Sequence, residues 1–235
     1  MNCALDANVA KVRKDFTVDA AFQVAGGTAC GLFGVSGAGK STILSCIAGT
    51  EQPDRGYVRL GELTLFPPAF PVYLRPIGYL TQDPYLFPHL NVAQNICFGI
   101  AEHNGAADKI WIDELRDCLQ LDSIWRAPSY AISGGQARRV ALARMLSRKP
   151  NLVLLDEPFT GLDRHLVREL LDALGHWHKT LGFTMLVVDH ESEVLERLCP
   201  QTIAIEAGRI VQQAAWSELR ANPATPLLAQ LLAPL

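Results

Sequence analysis

Short apolar runs alternate with longer amphipathic stretches along most of this chain. The runs at 28–33, 57–65, 77–80, 152–155, 184–188 and 202–205 are compact, rich in strand-forming residues and bounded by polar residues or Gly and Pro, which predicts strands. Segments 41–48, 135–147, 166–177 and 191–199 repeat apolar residues at helical spacing. Strands interleaved with helices of this length imply an α/β fold built on a largely parallel sheet covered on both faces. The amino-terminal segment and 57–65 lack a clean helix beside them and are expected to form an antiparallel flank.

Between Asp83 and Arg148 the rhythm changes. Segments 91–100, 107–121 and 135–148 all read as helical, and no strand candidate falls among them. The expectation is a single unit over 1–235. Its sheet core takes about 1–85 and 149–220, a helical subdomain is inserted at about 86–148, and a short tail covers 221–235. The tail opens with Ala221-Asn-Pro-Ala-Thr-Pro226 and then turns Leu-rich, as a frayed end or a small docking helix would.

Composition narrows the class. With 49% hydrophobic and 19% charged residues the chain can bury a core, so it is not a disordered segment. A net charge of −3 without a Lys/Arg cluster argues against a protein whose main task is gripping nucleic-acid phosphates. The six cysteines are scattered with no C-x-x-C pair, and several sit in apolar runs as small core residues. The first residues lack the basic-then-apolar order of a signal peptide. No run approaches the ~20 apolar residues that span a bilayer, so any membrane role is expected to be indirect.

Candidate chemistry begins at Gly34-Val-Ser-Gly-Ala-Gly-Lys-Ser41, which fits G-x-x-x-x-G-K-[ST] between a predicted strand and a predicted helix. The amides of Gly37, Ala38, Gly39, Lys40 and Ser41 would converge on phosphate oxygens, helped by the positive end of the helix dipole. Lys40 would reach the β- and γ-phosphates, and the Ser41 hydroxyl would ligate Mg²⁺. Leu152-Val-Leu-Leu-Asp-Glu157 then ends an apolar strand in two carboxylates, where ligands gather in parallel sheets. Asp156 is placed to hold Mg²⁺ through water. Glu157 suits orienting or deprotonating an attacking water. Ser133-Gly-Gly-Gln136 opens a further helix, with Ser133 as its cap. These features imply nucleoside triphosphate binding. Kinase and GTPase readings fail for want of a kinase catalytic loop or an N-K-x-D motif.

Six segments in this order resemble the ATP-binding cassette (ABC) ATPases: Gly34–Thr42, Gln82, Ile132-Ser-Gly-Gly-Gln136, 152–157, Gly161-Leu-Asp163, and His190 after Leu186-Val-Val-Asp189. The resemblance covers about residues 16–220. It implies a P-loop NTPase core, RecA-like with an antiparallel flank, plus the helical insert. It also implies ATP and Mg²⁺ as ligands. Gly34, Ser36, Gly37, Ala38, Gly39, Lys40, Ser41 and Thr42 then form the nucleotide loop. Gln82 looks like the glutamine that contacts Mg²⁺ and senses the γ-phosphate. Ser133, Gly134, Gly135 and Gln136 look like the signature that closes over nucleotide held by a second copy, with Ile132 in place of the usual Leu. Asp163 looks like the seam aspartate. His190 looks like the switch histidine on the γ-phosphate. The adenine-stacking position is not met by the usual aromatic residue, and Phe16 and Arg13 are its two candidates.

Among such ATPases the chain is similar to importer subunits. It has no long coiled coil and no second phosphate loop, as the DNA-acting and ribosomal types have. Tyr85, Leu86 and Phe87 fall where importer ATPases receive a helix of their membrane subunit. The segments 15–22, 32–40, 75–83 and Leu86-Phe-Pro-His89 are similar to molybdate importer ATPases; thiamine importers share Val92-Ala-Gln-Asn95. The resemblance implies a homodimer on permease subunits at the cytoplasmic face of the membrane, served indirectly by an extracytoplasmic solute-binding protein, with no nucleic acid. Thiamine, sulfate, iron and polyamine are alternative solutes, and a soluble non-transport ABC ATPase is the alternative of a different class.

Overall fold

The computed structural model, which describes residues 5–14, 16–100 and 106–233, arranges its strands in one ten-stranded sheet. Cys3 and Asp15 lie outside the described residues. The chain opens with β1 (Leu5–Val12) and β2 (Thr17–Val24), then β3 (Ala29–Phe33), which feeds α1 (Lys40–Ala48). A hairpin of β4 (Arg55–Leu60) and β5 (Leu63–Phe66) precedes β6 (Ile77–Leu80). Three helices follow: α2 (Val92–Cys97), α3 (Ala106–Cys118) and α4 (Gly134–Leu146). The remainder alternates through β7 (Leu152–Asp156), α5 (Arg164–Leu181), β8 (Thr184–Val188), α6 (Ser192–Leu198), β9 (Gln201–Glu206), β10 (Arg209–Ala215), α7 (Trp216–Ala221) and α8 (Pro226–Leu232).

The strand order is β5-β4-β1-β2-β10-β9-β3-β8-β7-β6. From β9 to β6 every pairing is parallel. At the other end β2, β1, β4 and β5 pair antiparallel. Side chains in a strand alternate between faces, and here each face meets its own core. In β7, Val153 and Leu155 join the cluster under α3, α4 and α5, while Leu152 and Leu154 join the one under α1. Because both faces are covered, these strands read as unbroken apolar runs in the sequence. Trp177 of α5 is 1% exposed and meets Trp111 of α3 edge-to-face at 5.4 Å, while its Nε1 donates to Glu114 Oε1 at 2.7 Å. That contact fastens α3 to α5, whose apolar face shares a core with the sheet.

Several boundaries differ from the sequence expectation. The single strand expected at 57–65 is two, β4 and β5, turning at Gly61 and Glu62. Strand β10 went unforeseen, because Gln212 and Gln213 interrupt its apolar pattern and its register slips between Ile210 and Gln212. The helix expected over 91–100 ends at Cys97, and the one over 107–121 ends at Cys118, just before Gln120 turns left-handed (φ 51). The tail docks rather than frays: α8 is capped by Thr225, whose Oγ1 accepts from Leu228 N at 3.1 Å, and it buries Leu228 and Leu232 in the core.

Candidate functional site

The phosphate-binding loop runs from the end of β3 into α1, and its glycines meet two different demands. A Cβ on Gly34 would stand 2.2 Å from Ile205 O, so only glycine fits between the loop and β9. Gly39 caps α1 in the left-handed region (φ 101), where a Cβ would also lie 2.7 Å from Val18 Cγ2. No side chain caps α1, so its first amides are not spent on an internal partner. Lys40 curls back over the loop and donates to Gly34 O (2.8 Å) and Val35 O (2.9 Å). Burial pushes its pKa down, against the carboxylates of Glu157, Asp156 and Asp189 that hold it charged. One ammonium facing three carboxylates is a polar pocket prepared for a polyanion and a cation together.

Those carboxylates come from neighbouring strand ends. Asp156 closes β7 and is 2% exposed. Burial raises its pKa, and nearby Glu157 raises it further, while the Ser41 and Tyr79 hydroxyls and Lys40 pull it down. Its Oδ1 is buried with no hydrogen-bond partner. An orphaned buried carboxylate oxygen beside a serine hydroxyl fits a divalent cation, since Mg²⁺ takes few protein ligands and keeps its waters. Asp189 follows β8 and is likewise buried, with its pKa pushed up by burial; its Oδ1 accepts from Glu191 N at 2.9 Å. Glu157 has left-handed backbone (φ 49), an uncommon state for a residue with a side chain. His190 is exposed, with Nδ1 3.6 Å from Asp189 Oδ1. It lines a cavity of about 520 Å³ shared with Leu162 and Arg164, the neighbours of Asp163.

Gln82 follows β6 with its side chain in solvent, and Arg138 Nη2 donates to its main-chain oxygen. Ser133 and Gln136 lie at the start of α4, where they cap it. Among the described residues neither bonds the phosphate loop of its own chain. Gly135 instead approaches the Gly161–Leu162 loop, where a Cβ would stand 3.3 Å from Leu162 Cδ2. Asp163 caps α5, its Oδ1 accepting from Leu166 N at 2.9 Å, a bond that lowers its pKa. The structure therefore gathers Lys40, Ser41, Asp156, Glu157 and Asp189, and leaves Ser133–Gln136 outside that group.

The two candidates for the base end of the nucleotide differ in their surroundings. Arg13 Nη2 donates to Glu51 Oε2 (2.5 Å) and to Thr42 Oγ1 (3.2 Å), which holds the guanidinium against α1. The half-buried Phe16 ring packs on the loop: a Cβ on Gly39 would lie 3.3 Å from its Cε2. Arg138, Tyr79 and Phe98 are neighbours of the site that the sequence reading did not single out. Arg138 donates to the main-chain oxygen of Glu157 and Tyr79 reaches Asp156; Phe98 packs tilted against Phe87 with ring centroids 4.3 Å apart.

That aromatic pair lies in a groove of about 310 Å³ with Tyr79, Thr81, Tyr85 and Arg144. Tyr85 is 70% exposed, whereas Leu86 packs on the core, so the expected three-residue cluster is split. Asn95 is fully buried and sets the groove wall: its Oδ1 accepts from Phe87 N (2.8 Å) and its Nδ2 donates to Leu90 O (3.1 Å).

A family model described as ABC transporter matches residues 18–160. The chain belongs to the ABC transporter family. Its relatives within that family include the molybdenum import ATP-binding protein ModC of Rhodobacter capsulatus, 36% identical over 220 residues, covering 91% of this chain and 59% of that protein. The thiamine import ATP-binding protein ThiQ of Jannaschia sp. is 37% identical over 222 residues, covering 94% of this chain and 96% of that protein. Others are named for Fe(3+) ions (Pseudomonas fluorescens, 40% identical over 208 residues, 87% of this chain and 58% of that protein) and for sulfate/thiosulfate (Synechocystis sp., 36% over 225 residues, 94% and 63%). Apart from the thiamine protein, the chain spans less than two thirds of the length of these relatives. The structure of cbiO1 from Clostridium perfringens, part of the ABC transporter complex cbiONQ, superposes with a TM-score of 0.75 at 25% identity, covering 95% of this chain and 93% of that one. This ABC-family chain thus carries an ABC ATPase fold. No helix among its described residues is long and apolar enough to cross a membrane.

Proposed function

We propose that this chain is the ATP-binding and ATP-hydrolysing subunit of an ABC importer that energises uptake of a small solute. The observation that carries the reading is the convergence of Lys40, Asp156, Glu157 and Asp189 at the uncapped start of α1. In this reading the loop amides and Lys40 bind the β- and γ-phosphates. Ser41 would hold Mg²⁺, with Asp156 through water and Gln82 as a further candidate ligand, and the ion would supply neutralisation of phosphate charge. Glu157 accepts the proton of the attacking water, and His190 hydrogen-bonds the γ-phosphate. The backbone of Ser133, Gly134, Gly135 and Gln136, with Asp163, completes the site of a second copy.

In this reading the groove around Tyr85, Phe87 and Phe98 receives a permease helix, with the chain on the cytoplasmic face of the membrane. There it would serve an extracytoplasmic binding protein only indirectly. Residues 86–148 would move as the helical subdomain. Molybdate is the solute proposed, on the similarity of segments 32–40, 75–83 and 86–89. Relatives named for thiamine, iron and sulfate lie at comparable identity, and they set the alternatives to test. Turnover of Mg·ATP by the purified chain, abolished in Lys40→Ala, tests the activity. Co-purification of an integral membrane protein from membranes, followed by uptake assays with each oxyanion and with thiamine, tests the transport role. Recovery of nucleic acid or ribosomes alone would sink it.

A further inference from the structure

Three arginines of α4 bond main-chain oxygens. Arg139 Nη1 donates to Leu119 O (2.7 Å) and Gln120 O (3.1 Å). Arg144 donates to Tyr85 O (3.0 Å) and Pro84 O (3.0 Å). Arg138 reaches two separate loops: Nη1 donates to Glu157 O at 2.5 Å, and Nη2 to Gln82 O. The 82–85 segment is therefore tied to α4 at both ends, and the same helix is tied to the residue that carries the candidate base.

Glu157 depends on such ties. Its left-handed backbone (φ 49) is not one a glutamate adopts unaided, so neighbouring bonds must hold it. Its amide donates to Val188 O at 2.9 Å, and its carbonyl accepts from Arg138. The peptide groups on both sides of its Cα are thus pinned, one to β8 and one to α4. The direction of its carboxylate follows from that backbone.

We propose that Arg138 is a positioning residue for hydrolysis, one that aims the Glu157 carboxylate and locks it to the Gln82 loop without touching phosphate or water. A planar guanidinium presents forked donors that reach two carbonyls at once, which an ammonium does not reproduce. Arg138 thereby joins the loop that leads into Tyr85 and Phe87 to the Glu157 backbone. This inference rests on the ATPase reading above.

The test compares the purified wild type with Arg138→Ala, Arg138→Gln, Arg138→Lys and Lys40→Ala, reading Mg·ATP turnover, binding of a fluorescent ATP analogue, and melting temperature. Misplacing a catalytic group by about an ångström costs up to roughly 100-fold in rate. Arg138→Ala should therefore lower kcat by about 10- to 100-fold. KM and analogue affinity should stay within about twofold, because the phosphate loop is intact. Arg138→Lys, whose ammonium can reach one carbonyl but lacks the fork, should recover only part of kcat, and Arg138→Gln, shorter and with a single donor nitrogen, should recover less. If the wild type shows no turnover sensitive to Lys40→Ala, the ATPase reading itself fails. Turnover that survives Arg138→Ala at the wild-type kcat overturns the Arg138 role alone. So does a joint fall of binding, kcat and melting temperature that Arg138→Lys leaves uncorrected, since that marks a merely structural residue.

Discussion

Ser133 and Gln136 bind each other across the first turn of α4. Ser133 N donates to Gln136 Oε1 at 2.8 Å, and Gln136 N donates to Ser133 Oγ at 3.3 Å. The signature-like segment is thus built first as a helix start, and its two polar side chains have structural work within one chain. Ser133→Ala should lower the stability of the isolated chain by about 1 kcal/mol through the lost cap. Denaturant unfolding without nucleotide measures this, and an unchanged midpoint would show that the cap is idle.

Glu157→Gln keeps the shape of the side chain but cannot take a proton from water. Binding of Mg·ATP should persist, because Lys40 and the loop amides are untouched. Turnover should fall by roughly 100- to 10,000-fold, the range general-base catalysis supplies. Near-normal hydrolysis by the variant would remove Glu157 from that role.

Asp156 offers a pH-dependent test with a definite sign. Burial raises its folded pKa above the ordinary 3.8, so the folded chain holds this proton to higher pH than the unfolded chain does. Stability from this group is therefore fully present below that interval and is lost as pH rises through it. Asp189 shifts in the same direction by burial. Asp156→Asn should melt at or above the wild-type temperature at neutral pH without Mg²⁺. The difference should shrink as pH falls toward 3.8. With ATP present, added Mg²⁺ should raise the melting temperature of the wild type and not of the variant. A destabilised Asp156→Asn at neutral pH would contradict the orphaned-carboxylate account.

The phosphate loop and the Asp156–Glu157 pair were legible because each is contiguous, and because β3 and β7 announce themselves as runs buried on both faces. Strand β10 was not, since Gln212 is half-buried and Gln213 exposed on a strand that lies inside the sheet between β2 and β9, and no apolar period survives there. The turn at Gly61 and Glu62 hid inside a run that reads as one strand. Arg138 left no signal at all. It bonds main-chain oxygens 19 and 56 positions away, and a carbonyl has no residue type by which a sequence could mark it. Partnerships of that kind exist only once α4 is laid across the ends of β6 and β7.

Lys40, Ser41, Asp156 and Glu157 share one surface, while Ser133 heads a helix whose capping turn faces Gly161 and Leu162 and makes no bond to the phosphate loop. We expect a second copy to complete a site whose two halves stand apart in one chain, with two-fold pairing repeating the contact at both nucleotides. Each ATP would then bind both chains, which would link the association to nucleotide. The chain should sediment as a monomer or weak dimer alone, and as a dimer with Mg·ATP on the Glu157→Gln background. Adding Ser133→Arg to that background should return it to monomer with ATP still bound, because a long cation obstructs closure without reaching the phosphate loop. Its loss of stability should stay near that of Ser133→Ala, which separates a blocked seam from a damaged helix. Full hydrolysis by a strictly monomeric wild type would refute the shared site.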